Sequence, residues 1–152
     1  MMAHFLQEPT FNRGVSNYLK ANKFSNAHQD ELWRHLTAVG VEDGSLAGDM
    51  TVKAIMDTWT LQMGYPLLTV TRDYNGSVTI SQTRFLTEDN NNNTGSLEEE
   101  EEEEYRWWIP VSYVTPGGDF NRTVPQFWLR PQDQEIQAAD NLIALYAVST
   151  SA

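Results

Sequence analysis

Asp57-Thr58-Trp59-Thr60-Leu61-Gln62-Met63-Gly64-Tyr65-Pro66 is the stretch on which the hydrophobic period of the chain changes. Before and within it, Val52, Ile55, Met56, Trp59 and Met63 recur at helical spacing, and Thr51 is placed to cap the first turn. Gly64 stands where a helix end favours a left-handed residue, and Pro66 forbids continuation. Beyond Pro66 the period becomes two: Leu68, Val70, Arg72 and Tyr74 alternate with Leu67, Thr69, Thr71 and Asp73. Asn75-Gly76 signals a tight hairpin turn, after which Val78 and Ile80 resume the alternation. A helix, a joint and a hairpin are therefore expected, with Trp59 and Met63 buried against upstream helices.

Upstream of the joint the pattern is helical. Phe11, Val15, Tyr18 and Leu19 share one helix face. Asn22 to Asn26 is a polar break in which Ser25 or Asn26 is suited to cap the next helix. There Leu32, Trp33, Leu36 and Val39 form an apolar stripe that stops near Gly40. Val41 to Met50 has loop composition, and Met1 to Thr10 reads as a flexible start. Downstream, Thr87 to Glu104 is low complexity and ends in seven consecutive glutamates; it reads as a loop between strands. Tyr105 to Thr115 resumes strand chemistry, with Pro110 indicating an edge or a bulge. Adjacent Trp107 and Trp108 face opposite sides of a strand: one enters the sheet core, the other meets solvent or a further domain. Phe127-Trp128-Leu129 reads as a short strand. Ile136 to Tyr146 has helical composition with few caps.

The fold class is α+β, a helical segment followed by an incomplete antiparallel β-sandwich. Residues 1–64 are the helical part, and 65–130 are sandwich strands with a disordered acidic loop at 87–104. Residues 131–152 form a tail of unassigned fold.

Composition sets the outer bounds. The chain has 152 residues, 40% hydrophobic and 11% aromatic, enough for a core. Its formal net charge is -11, concentrated in Glu98 to Glu104, and an acidic surface repels phosphate backbones, so nucleic acid is excluded as a partner. There is no cysteine, which excludes disulfides and thiolate metal sites. No signal peptide is visible, and no run of residues is long and apolar enough to span a membrane.

The residues that carry chemistry elsewhere are scattered here. His28 and His35 are seven apart on one predicted helix, about 10 Å by helix rise, whereas a zinc helix needs two histidines at i, i+4. His4 lies in the N-terminal start. No nucleophile elbow and no phosphate loop occurs. Asp30, Glu31, Glu42, Asp43 and Asp49 read as capping and solvated acids. Catalytic, metal and substrate-binding residues are therefore none. Three Asn-x-Ser/Thr sequons, at Asn75, Asn92 and Asn121, lie in predicted turns or loops and are candidate glycosylation sites.

Three blocks resemble the aminopeptidase N family, especially its insect members. They are Phe11-x-x-Gly14-Val15-x-x-Tyr18-Leu19; Asn26-Ala27 with Asp30-Glu31-Leu32-Trp33; and Val52-x-x-Ile55-Met56-Asp57-x-Trp59-Thr60-x-Gln62-x-Gly64-Tyr65-Pro66. The likeness continues through Leu67 to Phe85, Tyr105-x-Trp107-Trp108-Ile109-Pro110-Val111 and Trp128-Leu129. It implies that the helices are the end of a thermolysin-like catalytic domain and that the strands begin the β-sandwich that follows it. It also implies a parent enzyme that uses zinc to release N-terminal residues from peptides at the extracellular face of the plasma membrane. The family's His-Glu-x-x-His and Gly-x-Met-x-Asn motifs are absent, so no role transfers to a residue of this chain. The chain is expected to be inactive scaffold without bound zinc, and its partners are the rest of the aminopeptidase chain and, for the parent, peptide substrates. The alternative is a non-catalytic truncated binding protein with a surface for peptide, glycan or toxin.

Overall fold

A computed structural model of the chain describes residues 1–74, 76–85, 105–119, 121 and 124–137, and the backbone of residues 138 and 144–147. The acidic stretch 87–104 and the sequon residues Asn75 and Asn92 lie outside the described residues.

Four helices come first: α1 (Met2–Phe5), α2 (Glu8–Ala21), α3 (Gln29–Glu42) and α4 (Val52–Thr60). The start of the chain is not a loose end. Phe5 and Leu6 are buried with Trp33, Leu36, Leu46, Met50, Val52, Ile55 and Met56 in one apolar core. These two side chains offset the entropy of ordering a four-residue helix that would not form alone. Helix α3 begins at Gln29 with His28 as N-cap and no side-chain cap, so neither Ser25 nor Asn26 caps it. Thr51 caps α4 as expected, its Oγ1 accepting the Ala54 N–H at 3.1 Å. Thr37 joins α3 to α4: its Oγ1 accepts the Val52 N–H at 2.9 Å and donates to the Trp33 carbonyl at 2.8 Å.

The contact between α2 and α3 centres on Gly14. A Cβ built there would stand 2.6 Å from Leu36 Cδ2 and 3.3 Å from Leu36 Cα. Leu19, expected on the buried face, is exposed, because the inner line of α2 runs through Thr10 and Gly14 instead. Gly14→Val is expected to cost about 2 kcal/mol of stability by overpacking. An unchanged urea midpoint for that variant would show that the helices do not need this close approach.

Among the described residues six strands follow: β1 (Pro66–Arg72), β2 (Val78–Arg84), β3 (Ile109–Val114), β4 (Phe127–Leu129), β5 (Glu135–Ala138) and β6 (Ala144–Ala147). They form two three-stranded antiparallel sheets, ordered β1-β2-β5 and β4-β3-β6. The hairpin pairs Leu68 with Gln82 and Val70 with Ile80. Val78, Ile80, Trp107, Ile109, Val111 and Leu129 bring the two sheets together around a second core. The α+β class with antiparallel sheets is as the sequence pattern indicates.

Four local expectations change. Ile136 to Tyr146, helical in composition, instead contributes to β5 and β6, because β2 and β3 offer each a ladder to join. Pro110 lies in the central strand of its sheet, but β6 pairs with β3 only from Val111 onward, so the missing N–H falls outside that ladder. Met63 is 75% exposed rather than buried, because α4 ends at Thr60 with Leu61 as C-cap. Gly64 has the positive φ anticipated for it, 96°, but in the connecting turn beyond the helix.

Candidate functional site

The segment 105–108 enters β3 without being a strand itself, so its backbone polar groups need other partners. Side chains provide them. The Gln62 amide donates to the Arg106 carbonyl at 3.1 Å. Gln82, 3% exposed on β2, accepts the Trp107 N–H at 2.8 Å and donates to the Trp107 carbonyl at 3.0 Å. Its amide thus takes the place of a neighbouring strand. Thr58 Oγ1 accepts the Trp108 N–H at 3.2 Å, and the Trp59 indole N–H donates to the Trp108 carbonyl at 2.8 Å. Two of these four side chains belong to α4, one follows its end and one belongs to the sheet, so this backbone segment is where helices and sandwich are joined.

The two indoles divide as strand geometry requires. Trp107 is 1% exposed and fills the sandwich core. Trp108 turns to the other side, where the chain's own helices cover it: it packs on the helical core beside Trp128. The Trp108 and Trp128 rings meet edge to face at 6.1 Å, and Phe5 meets Trp128 the same way at 5.1 Å. Trp59 touches both cores. The surface that the sequence left to solvent or to a further domain is thus an internal joint. Arg84 lies over the Tyr105 ring at 4.6 Å and Arg130 over Trp108 at 5.6 Å.

Among the described residues, the charged side chains that meet do so in ion pairs. Arg13 holds Glu42 and Asp43 at the end of α3, and Thr10 donates to Asp43 at 2.8 Å. Lys53 bridges Asp30 at 2.8 Å and Asp57 at 2.9 Å. The hydrogen bonds that Lys53 donates to Asp30 first and Asp57 second raise its pKa above the ordinary value. His4 is on α1, His28 caps α3, and His35 meets the Tyr18 ring at 6.2 Å, so the three imidazoles do not converge. Among the described residues no group of histidines and carboxylates is arranged to hold a metal ion. Of the sequons, Asn121 is exposed in the turn after β3, where its N–H donates to Asp119 Oδ1 at 2.9 Å. Of the joint residues, Gln62 entered the sequence reading only as part of the family string, with no role, and Gln82 escaped it; a glutamine on the inward phase of an alternating strand was the one available signal.

Comparison with known proteins agrees with the resemblance. The Peptidase family M1 domain matches residues 1–59. Aminopeptidase N of Bos taurus is 35% identical over 134 residues, which is 88% of this chain and 13% of that protein. Aminopeptidase Ey of Gallus gallus is 35% identical over 129 residues, 85% of this chain and 12% of that protein. Aminopeptidase 2, mitochondrial, of Saccharomyces cerevisiae is 36% identical over 87 residues, 57% of this chain and 8% of that protein. The chain thus spans only 12% to 13% of the length of the two vertebrate relatives. No described helix is long and apolar enough to cross a membrane. Both vertebrate matches extend beyond the M1 domain match to cover at least 85% of the chain, and on this footing the chain belongs to the aminopeptidase N family.

Proposed function

We propose that this chain is the scaffold at which the catalytic domain of a zinc-dependent aminopeptidase is closed and docked onto its β-sandwich. The parent enzyme removes N-terminal residues from peptides, at the extracellular face of the plasma membrane. The domain boundary falls at 64/65, with 1–64 completing the catalytic domain and 65–130 beginning the sandwich. The observation that carries this reading is the joint: Trp59 packs on both cores and donates its indole N–H to Trp108. Asn75, Asn92 and Asn121 are proposed glycan acceptors.

Zinc belongs to the parent and not to the residues described here, which do not converge on an ion. No catalytic step is therefore assigned to any of them. The chain's contribution is positional: a rigid support has to hold reacting groups to a fraction of an ångström from outside the site. Purified chain is expected to hold no stoichiometric zinc by elemental analysis and to release no N-terminal residue from a peptide. Zinc-dependent turnover by this chain would overturn the scaffold reading.

A further inference from the structure

Strand β1 is an edge with few of the features that protect edges. Among the described residues no strand lies beyond it, since its sheet runs β1-β2-β5. It has seven residues, no lysine, and its proline only at the first position. Apart from Pro66 and Leu68, which are partly buried, its side chains are exposed on both faces. Leu67 is 47% exposed on the outer face; Val70, which pairs with Ile80 on the core side, is still 46% exposed. The opposite sheet does not reach over the rim at Val70.

The backbone phase is fixed by the hairpin. The Asp73 N–H donates to the Ser77 carbonyl at 2.9 Å and the Phe85 N–H donates to the Tyr65 carbonyl at 3.0 Å. In an antiparallel ladder these hydrogen-bonded pairs alternate with unbonded ones. Thr71, Thr69 and Leu67 therefore bond to β2, while Leu68, Val70 and Arg72 aim their N–H and C=O groups outward.

We propose that β1 pairs with β1 of a second copy of this chain, antiparallel and about a two-fold axis at Thr69. The register with full overlap sets Leu68 against Val70 of the second copy, Leu67 against Thr71, Thr69 against its own mate, and Arg72 against Pro66. The outward groups of Leu68, Val70 and Arg72 are all in bonding phase in that register, giving about six new backbone hydrogen bonds. Arg72, the only charge on the strand, never meets its mate, so no like-charge pair opposes association. Such an interface is isologous and closes as a dimer. It joins the two β1-β2-β5 sheets into one. Seven paired residues are fewer than a standard interface, so the dimer forms and dissociates with concentration.

The chain has no cysteine, which makes a single introduced thiol a clean reporter. Thr69 faces its mate as an unbonded pair, whose Cα separation of about 4.5 Å suits a disulfide. Under mild oxidation Thr69→Cys is expected to give a covalent dimer at least about tenfold faster than Lys20→Cys, an exposed helix position. Sedimentation of the unmodified chain, from low micromolar to near-millimolar, is expected to show monomer passing to dimer. Val70→Pro removes an outward N–H and leaves the β2 ladder intact, so it should weaken that dimer about tenfold. Where this proline variant does not fold, the Thr69→Cys cross-linking rate decides alone. A folded chain that stays monomeric throughout leaves the edge to some other strand and overturns the proposal. So does a dimer that Thr69→Cys does not cross-link.

Discussion

Trp59→Ala will lower the unfolding free energy of the chain by about 3 kcal/mol, with Trp59→Phe losing less than half as much. The alanine variant loses an indole that packs on both cores and the hydrogen bond to Trp108. Phenylalanine keeps most of the packing and loses mainly the bond. Trp59 is not fully buried, which places the alanine effect at the low end for tryptophan. Urea unfolding followed by circular dichroism measures both, since the helices and the strands report at different wavelengths. A larger consequence is loss of cooperativity. With the joint intact, the helical and strand signals are expected to fall together; in Trp59→Ala they should separate into two transitions. A loss below about 1 kcal/mol with coincident transitions would mean that the joint is held by something else.

Gln82→Leu is expected to be comparably severe, costing about 3 kcal/mol, or about 10 °C of melting temperature for a chain of this size. Leucine fits the volume and improves the local hydrophobicity, so a purely apolar account predicts little change. The cost comes from what is left behind. The Trp107 N–H and C=O lose their partner inside the protein, as does the Arg130 carbonyl that accepts from the same amide at 3.3 Å. Each buried polar group without a partner costs about 1 to 3 kcal/mol. A thermal melt within about 3 °C of the unmodified chain would show that water replaces the amide freely.

What the sequence disclosed, and what it did not, follows the reach of each interaction. The passage from α4 to β1 was legible because periodicity, the Thr51 cap and the Gly64 conformation are local. The β1–β2 hairpin was legible for the same reason, its register fixed by two short alternating runs around Asn75-Gly76. Helix α1 was not, since four residues become helical only because Phe5 and Leu6 find a distant core. Strands β5 and β6 were not, because four-residue segments take their conformation from β2 and β3 and not from their own composition. Which of Trp107 and Trp108 leaves the sheet core was not legible, because the Trp128 ring that meets Trp108 comes from a separate strand. The family's residues announced themselves at the joint; the hydrogen bonds that make it a joint did not.

The ties of Thr58 and Trp59 to Trp108 cross 50 and 49 positions of chain. Helices α2 to α4 and the β1–β2 hairpin close over short separations and need not wait for one another. The 105–108 segment has no such local route, since every backbone partner named above comes from much earlier in the chain. Its ordering thus carries a high loop-closure cost, as does the pairing of β2 with β5, and the chain reaches its native state only when such long-range contacts are made. The same pair of tryptophans that fixes where the two cores sit therefore also fixes when they become one.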